Sequence, residues 1–181
     1  MFNYTYIIIS ILSLVSAAYD VGDTISSEHL ATEFSYCYPS DSINSIFSFN
    51  KHNNKVFVLD MSASWWGPCY SSIPVGDQLY ENWASDSRVE IFNVLDDLNQ
   101  PYSCNQWGDA GSQNIPPIID DGDGYNIINW FKNTGTVTNP IYPSIWFIDH
   151  NMTVFSKLYV HIPTYITVAN TYIQTMLDQM D

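Results

Sequence analysis

Residues 55–83 constrain the fold more than any other part of the sequence. Residues 55–60 read KVFVLD, an unbroken apolar run closed by an acid, which is the pattern of a central strand covered on both faces. Residues 70–83 then bring Ile73, Leu79, Tyr80 and Trp83 round at roughly helical spacing. A strand running straight into a helix is the start of an α/β layer, and the rest of the chain extends it. Residues 89–95 (VEIFNVL) predict a second strand. Residues 145–149 and 153–159 predict a hairpin about the turn His150-Asn151-Met152. Residues 164–180 predict a closing amphipathic helix with Ile166, Ala169, Ile173 and Met176 on one face. Weaker patterns predict strands over 43–49 and 117–120 and a short helix over 126–132. The remainder of 19–54 reads as polar and turn-rich, and 96–142 as a long connection rich in Asn, Gly, Asp and Pro. The expected fold class is α/β, a central mixed sheet flanked by helices.

The chain has 181 residues, 46% of them apolar and 15% aromatic, enough for one domain with a core. Its formal charge is −14, from 19 acidic and only 5 basic residues. Such a surface repels a phosphate backbone and an anionic lipid surface alike, so neither nucleic acid nor membrane is an expected partner. Residues 7–15 (IIISILSLV) are apolar and are followed by Ser16, Ala17 and Ala18. That is the form of a signal peptide over residues 1–18, cleaved after Ala17 or Ala18, with an uncleaved anchor as the alternative. The domain then spans 19–181 and is exported, to the outside of the cell, the ER lumen or a periplasm. Its three cysteines, Cys37, Cys69 and Cys104, would meet an oxidising compartment, where pairing leaves one thiol over.

Residues 58–74 read VLDMSASWWGPCYSSIP. This resembles the thioredoxin superfamily, whose first strand and helix carry V-D-F-W-A-x-W-C-G-P-C-x-x-x-x-P. Asp60 falls on the buried acid of that pattern, Ala63, Trp65, Gly67, Pro68 and Cys69 on the motif, and Pro74 on the proline inside the helix. Downstream, Tyr142-Pro143-Ser144 precedes the strand IWFID, where the family places a cis-proline beside the motif, so Pro143 is the candidate. The opening Val21-Gly22-Asp23, the segment IPPIIDD and the stretch YPSIWFID look closest to the secreted TlpA/redoxin branch. The resemblance therefore implies a thioredoxin-like fold over residues 19–181.

One departure governs function. In that family the first cysteine of C-x-x-C is the nucleophile, its thiolate favoured by a helix N-terminus, and the second resolves the mixed disulfide. Trp66 stands at the first position here, and an indole forms no thiolate. Cys69 is either a lone thiol able to form a mixed disulfide or a small apolar residue left in the helix. Asp60, which in the family relays a proton to the second cysteine, is catalytic only if Cys69 reacts. Trp65 and Trp66, beside Tyr142 and Pro143, form either a platform for an extended peptide or a filler of a surface groove. By the resemblance, Cys104 lies at the same sheet end as the motif. It pairs with Cys37 in a structural disulfide, or alternatively resolves a bond to Cys69. Two functions follow: a non-catalytic or monothiol protein that binds a peptide or protein, thiol-bearing or not, at the cis-proline groove, or an oxidoreductase using Cys69 with another thiol.

Other sites are weaker. Asp120-Asp121-Gly122-Asp123-Gly124 has a calcium-like look but lacks the glycine and terminal glutamate of a binding loop. His29, His52, His150 and His161 show no metal-ligand spacing, so no metal and no cofactor are expected. Asn151-Met152-Thr153 is a glycosylation sequon in a host that uses one. The sequence leaves the oligomeric state open.

Overall fold

The computed structural model describes residues 18–39, 45–111, 114–122, 126–131, 141–159 and 164–180. The expected leader over 1–18 lies almost wholly outside the described residues, as do Asp123, Gly124, Lys132 and His161. Among the described residues, seven strands form one mixed sheet in the order β2-β1-β5-β4-β3-β6-β7. At its centre β3 (Val56–Ala63) runs parallel to β4 (Val89–Asp96) and antiparallel to β6 (Ser144–Ile148). Beyond them, β5 (Ile118–Asp120) continues the parallel set and β7 (Val154–Tyr159) closes a hairpin with β6. The outer strands β1 (Phe34–Tyr38) and β2 (Ile46–Phe47) are antiparallel. This is the thioredoxin-like α/β fold.

Strand alternation divides the core into two layers. On one face Val56, Val58, Val89, Ile91, Ile145 and Phe147 pack with α2 (Gly67–Trp83) and with Ala169, Ile173 and Met176 of α5 (Tyr165–Asp178). On the other, Phe57, Leu59, Phe92, Trp146 and Ile148 meet Phe34, Phe47, Phe49, Trp107 and α4 (Asn126–Trp130). Two further short helices complete the set, α1 (Ser27–Ala31) and α3 (Cys104–Gly108). Among the described residues, no helix is long and apolar enough to cross a membrane.

Three expectations need correction. Residues 43 and 44 of the strand expected over 43–49 lie outside the described residues, and its described part is Ile46–Phe47, because Phe49 turns into a one-turn 3-10 segment (Phe49–Lys51) and packs edge-on against Phe47. The stretch read as polar and turn-rich holds α1 and β1. The long connection holds α3, capped by Ser103, whose hydroxyl accepts from the Gln106 amide while the Gln106 side chain accepts from the Ser103 amide.

Candidate functional site

The carboxyl ends of β3 and β4 lie side by side, Ala63 opposite Asp96, and the chain leaves β3 through Ser64-Trp65-Trp66 into α2. The buried Ser64 ties this turn down. Its amide donates to the Asp96 carbonyl, and its hydroxyl to the carbonyls of Asp97 and Gln100. Trp66 is the N-cap of α2 and its side chain makes no capping bond. The amides of Cys69 and Tyr70 both donate to its carbonyl. With the helix start closed by backbone alone, both indoles are turned outward: Trp65 is 49% and Trp66 41% exposed.

Cys69 points the other way and is 1% exposed. Burial pushes its thiol up to about 12; the nearby Asp60 carboxylate adds to this, against contacts from the Ala63 backbone and the Ser62 hydroxyl. Asp60, on β3, is itself raised to about 7, chiefly by burial and further by Asp77, while Ser62 and Asn93 hydrogen-bond its carboxylate. Asp60, Ser62 and Cys69 thus form one connected polar group beneath the helix start. A thiol held near 12 is almost wholly protonated at neutral pH and is a weak nucleophile. Iodoacetamide at pH 8 should therefore label Cys69 at least about a hundredfold more slowly in the native protein than in denaturant. Equal rates in the two states would show an accessible thiol.

Cys37 of β1 and Cys104 of α3 are joined in a disulfide with a Cα–Cα distance of 5.9 Å. Cys104 is thereby occupied, and Cys69 is the free cysteine. The tether holds α3 against β1 at close range. At Gly108 a Cβ would stand 2.5 Å from the Tyr38 ring, so only glycine fits. From α3, Trp107 meets Tyr70 and Tyr102 edge-on, and those two rings stack at 4.3 Å. The disulfide-bearing helix therefore packs on the first turn of α2.

Trp65, Trp66, Ile141 and Tyr142 line a surface cavity of about 190 Å³. The Tyr142–Pro143 bond is cis, and Pro143 is buried rather than lining the cavity. Two acids missed in the sequence support the rings. Asp97 accepts from the Trp65 indole at 2.6 Å, and Asp96 accepts from the Tyr142 hydroxyl at 2.8 Å. Asp97 does so from left-handed backbone, φ 53°, a region that aspartate tolerates better than most residues. Asp96 carried a signal, closing an apolar strand run as Asp60 does, whereas Asp97, one residue beyond β4, did not.

The other candidates lie elsewhere. Asp121 accepts from the amides of Ile127 and Ile128, and Asp120 from that of Gly122, so these carboxylates serve their own turn and the start of α4. Among the described residues, no three His, Cys, Asp or Glu side chains converge as metal ligands. Asn151 is exposed in the β6–β7 turn, its amide bonded to Asp149.

No protein-family model matches the sequence, and no curated protein sequence matches it. Solved structures do resemble it. A thiol:disulfide interchange protein of the thioredoxin family from Chlorobium tepidum superposes with a TM-score of 0.60 at 18% identity, covering 88% of this chain and 98% of that one. A PrxQ mutant from Xylella fastidiosa gives 0.62 at 15% identity over 90% and 98%. A secreted Mycobacterium tuberculosis disulfide oxidoreductase homologous to DsbE gives 0.57 at 14% over 84% and 99%. At these identities the likeness is one of shape, and over more than four-fifths of its length the chain has the thioredoxin-like fold.

Proposed function

We propose that this chain is an exported thioredoxin-fold protein that binds an extended peptide or protein segment at the Trp65–Trp66–Tyr142 surface and does not turn over disulfides through its Trp66-Gly67-Pro68-Cys69 motif. The observation that carries the reading is the inversion at the start of α2: an exposed indole stands at the helix N-cap, and the one free thiol is 1% exposed beneath it. The solved structures named above include disulfide interchange and oxidoreductase proteins, and in the family that the sequence resembles such chemistry starts from a cysteine at the position that Trp66 holds here. The surface that remains is apolar, open and beside the strand ends where α/β proteins take ligands. Export is supported by the leader-like residues 1–18 and by the presence of a disulfide.

The test is insulin reduction driven by dithiothreitol. The wild-type protein should not accelerate insulin precipitation beyond the reductant alone. Trp66→Cys, which restores two thiols at C-x-x-C spacing, should accelerate it at least about tenfold. Turnover by the wild type that is lost in Cys69→Ser would favour the oxidoreductase reading. A folded but inert Trp66→Cys would show that the missing cysteine is not what silences the motif.

A further inference from the structure

Resting on that reading of the surface, we propose that the cavity bounded by Trp65, Trp66, Ile141 and Tyr142 takes a cationic side chain, the ammonium of lysine or the guanidinium of arginine, from the bound peptide. The first support is geometric. Three aromatic rings bound the cavity and none is coplanar with its neighbour: Trp65 meets Trp66 at 65° and 5.7 Å, and Tyr142 at 87° and 6.2 Å. Rings set at steep angles do not close into one flat slot for a planar apolar group, and it is a ring face, the negative end of the aromatic quadrupole, that seats a compact cation.

The second support is electronic. Two of the three rings give their polar hydrogen to a carboxylate, Trp65 to Asp97 and Tyr142 to Asp96. Donation to a negative acceptor pushes electron density back into the ring and makes its face a better seat for positive charge. Asp96 is fully buried, and its other oxygen, Oδ1, has no hydrogen-bond partner among the described residues. A carboxylate with one oxygen held by the Tyr142 hydroxyl therefore lies directly behind the aromatic wall.

The third support is charge complementarity. Among the described residues, no basic side chain lines the cavity. The four basic residues described, Lys51, Lys55, Arg88 and Lys157, pair with Glu33, Glu90, Asp86 and Asp20, none of which lines it. With a formal charge of −14, the whole molecule attracts a basic peptide and repels an acidic one. Burial raises Asp96 to about 6, with the Tyr142 hydroxyl opposing the rise and the neighbouring Asp97 charge adding to it. Asp121, across the strand ends, faces the same group. The cation preference should accordingly shrink as pH falls from 7.5 to 5 and Asp96 takes up a proton.

The probes are two short, end-blocked, otherwise neutral peptides of alternating alanine and valine, one with a central arginine and one with citrulline, its neutral isostere. Binding is read by calorimetry at low salt, and each variant's fold is checked by circular dichroism. The arginine peptide should bind about tenfold more tightly than the citrulline peptide. Asp97→Asn keeps an acceptor for the Trp65 indole and removes the charge, so it should narrow that ratio by several-fold. Trp66→Ala should weaken both peptides. Equal binding of the two peptides would overturn the cation inference and leave the peptide groove standing. Failure of both to bind the folded protein would overturn the groove as well. A ratio that appears only in Lys132→Gln would show that the chain's own lysine fills the cavity, which also overturns the proposal.

Discussion

Replacing both Cys37 and Cys104 by alanine will lower the unfolding free energy by about 3 kcal/mol and shift the denaturant midpoint accordingly. The bond joins residues 67 apart in sequence, and closing a loop of that length removes roughly 4 kcal/mol of chain entropy from the unfolded state. Residual structure in the unfolded chain takes back part of that. The consequence reaches the candidate site. Once untied from β1, α3 carries Trp107, and with Trp107 goes the edge-on support of Tyr70 and Tyr102 at the first turn of α2. Amide exchange in that turn should accelerate in the double variant even where global unfolding does not limit it. Guanidinium titration of the oxidised protein, the reduced protein and the variant is the measurement. Coincident midpoints would mean that the bond contributes nothing to the fold.

The parts of this architecture legible in the sequence are those in which one segment carries its own signal. β3, β4 and β6 are runs buried on the sheet and read as apolar stretches, while β7, mostly half-buried, read as a strand from its hairpin turn with β6. α5 read as a helix because Ala169, Ile173 and Met176 recur on one face. β1 escaped because FSYCY has only one fully buried residue, Phe34, and its partner strands are fixed by register rather than by its own pattern. α3 escaped because five residues are too few to show a period. Its Ser103-x-x-Gln106 capping pair was the available sign. The site divided in the same way. Trp65, Trp66 and Cys69 sit in one continuous motif. The supports of the rings do not: Asp96 reaches Tyr142 across 46 residues, and Asp97 reaches Trp65 across 32. Such pairs exist only once β3, β4 and β6 are adjacent, and no local pattern encodes that.

Asp60→Asn will make the protein more stable at pH 8 than the wild type and leave the two nearly equal at pH 4. In the fold the Asp60 carboxyl titrates at about 7 rather than near 3.8, chiefly because burial disfavours its charged form and secondarily because Asp77 adds negative charge. A carboxyl raised in this way holds its proton more tightly in the native than in the unfolded state. Its stabilising contribution is therefore complete below about pH 4, declines as pH rises, and is fully lost above about 7. The whole interval corresponds to about 4 kcal/mol. Asp60 retains some exposure to solvent, which brings the expected gain at pH 8 to about 2 kcal/mol. The geometry explains why the acid is not relieved. Gly76 of α2 lies so close that a Cβ there would stand 3.3 Å from the Asp60 carboxylate, and the buried Asp77 follows it. The helix thus presses a second carboxyl, not a cation, toward the first. Urea titrations at pH 4, 6 and 8 separate the possibilities. If the difference between Asp60→Asn and the wild type is the same at all three values, Asp60 is ionised throughout and its high proton affinity is refuted. If Asp77→Asn halves the difference, the two carboxyls act on one another as the packing of α2 requires.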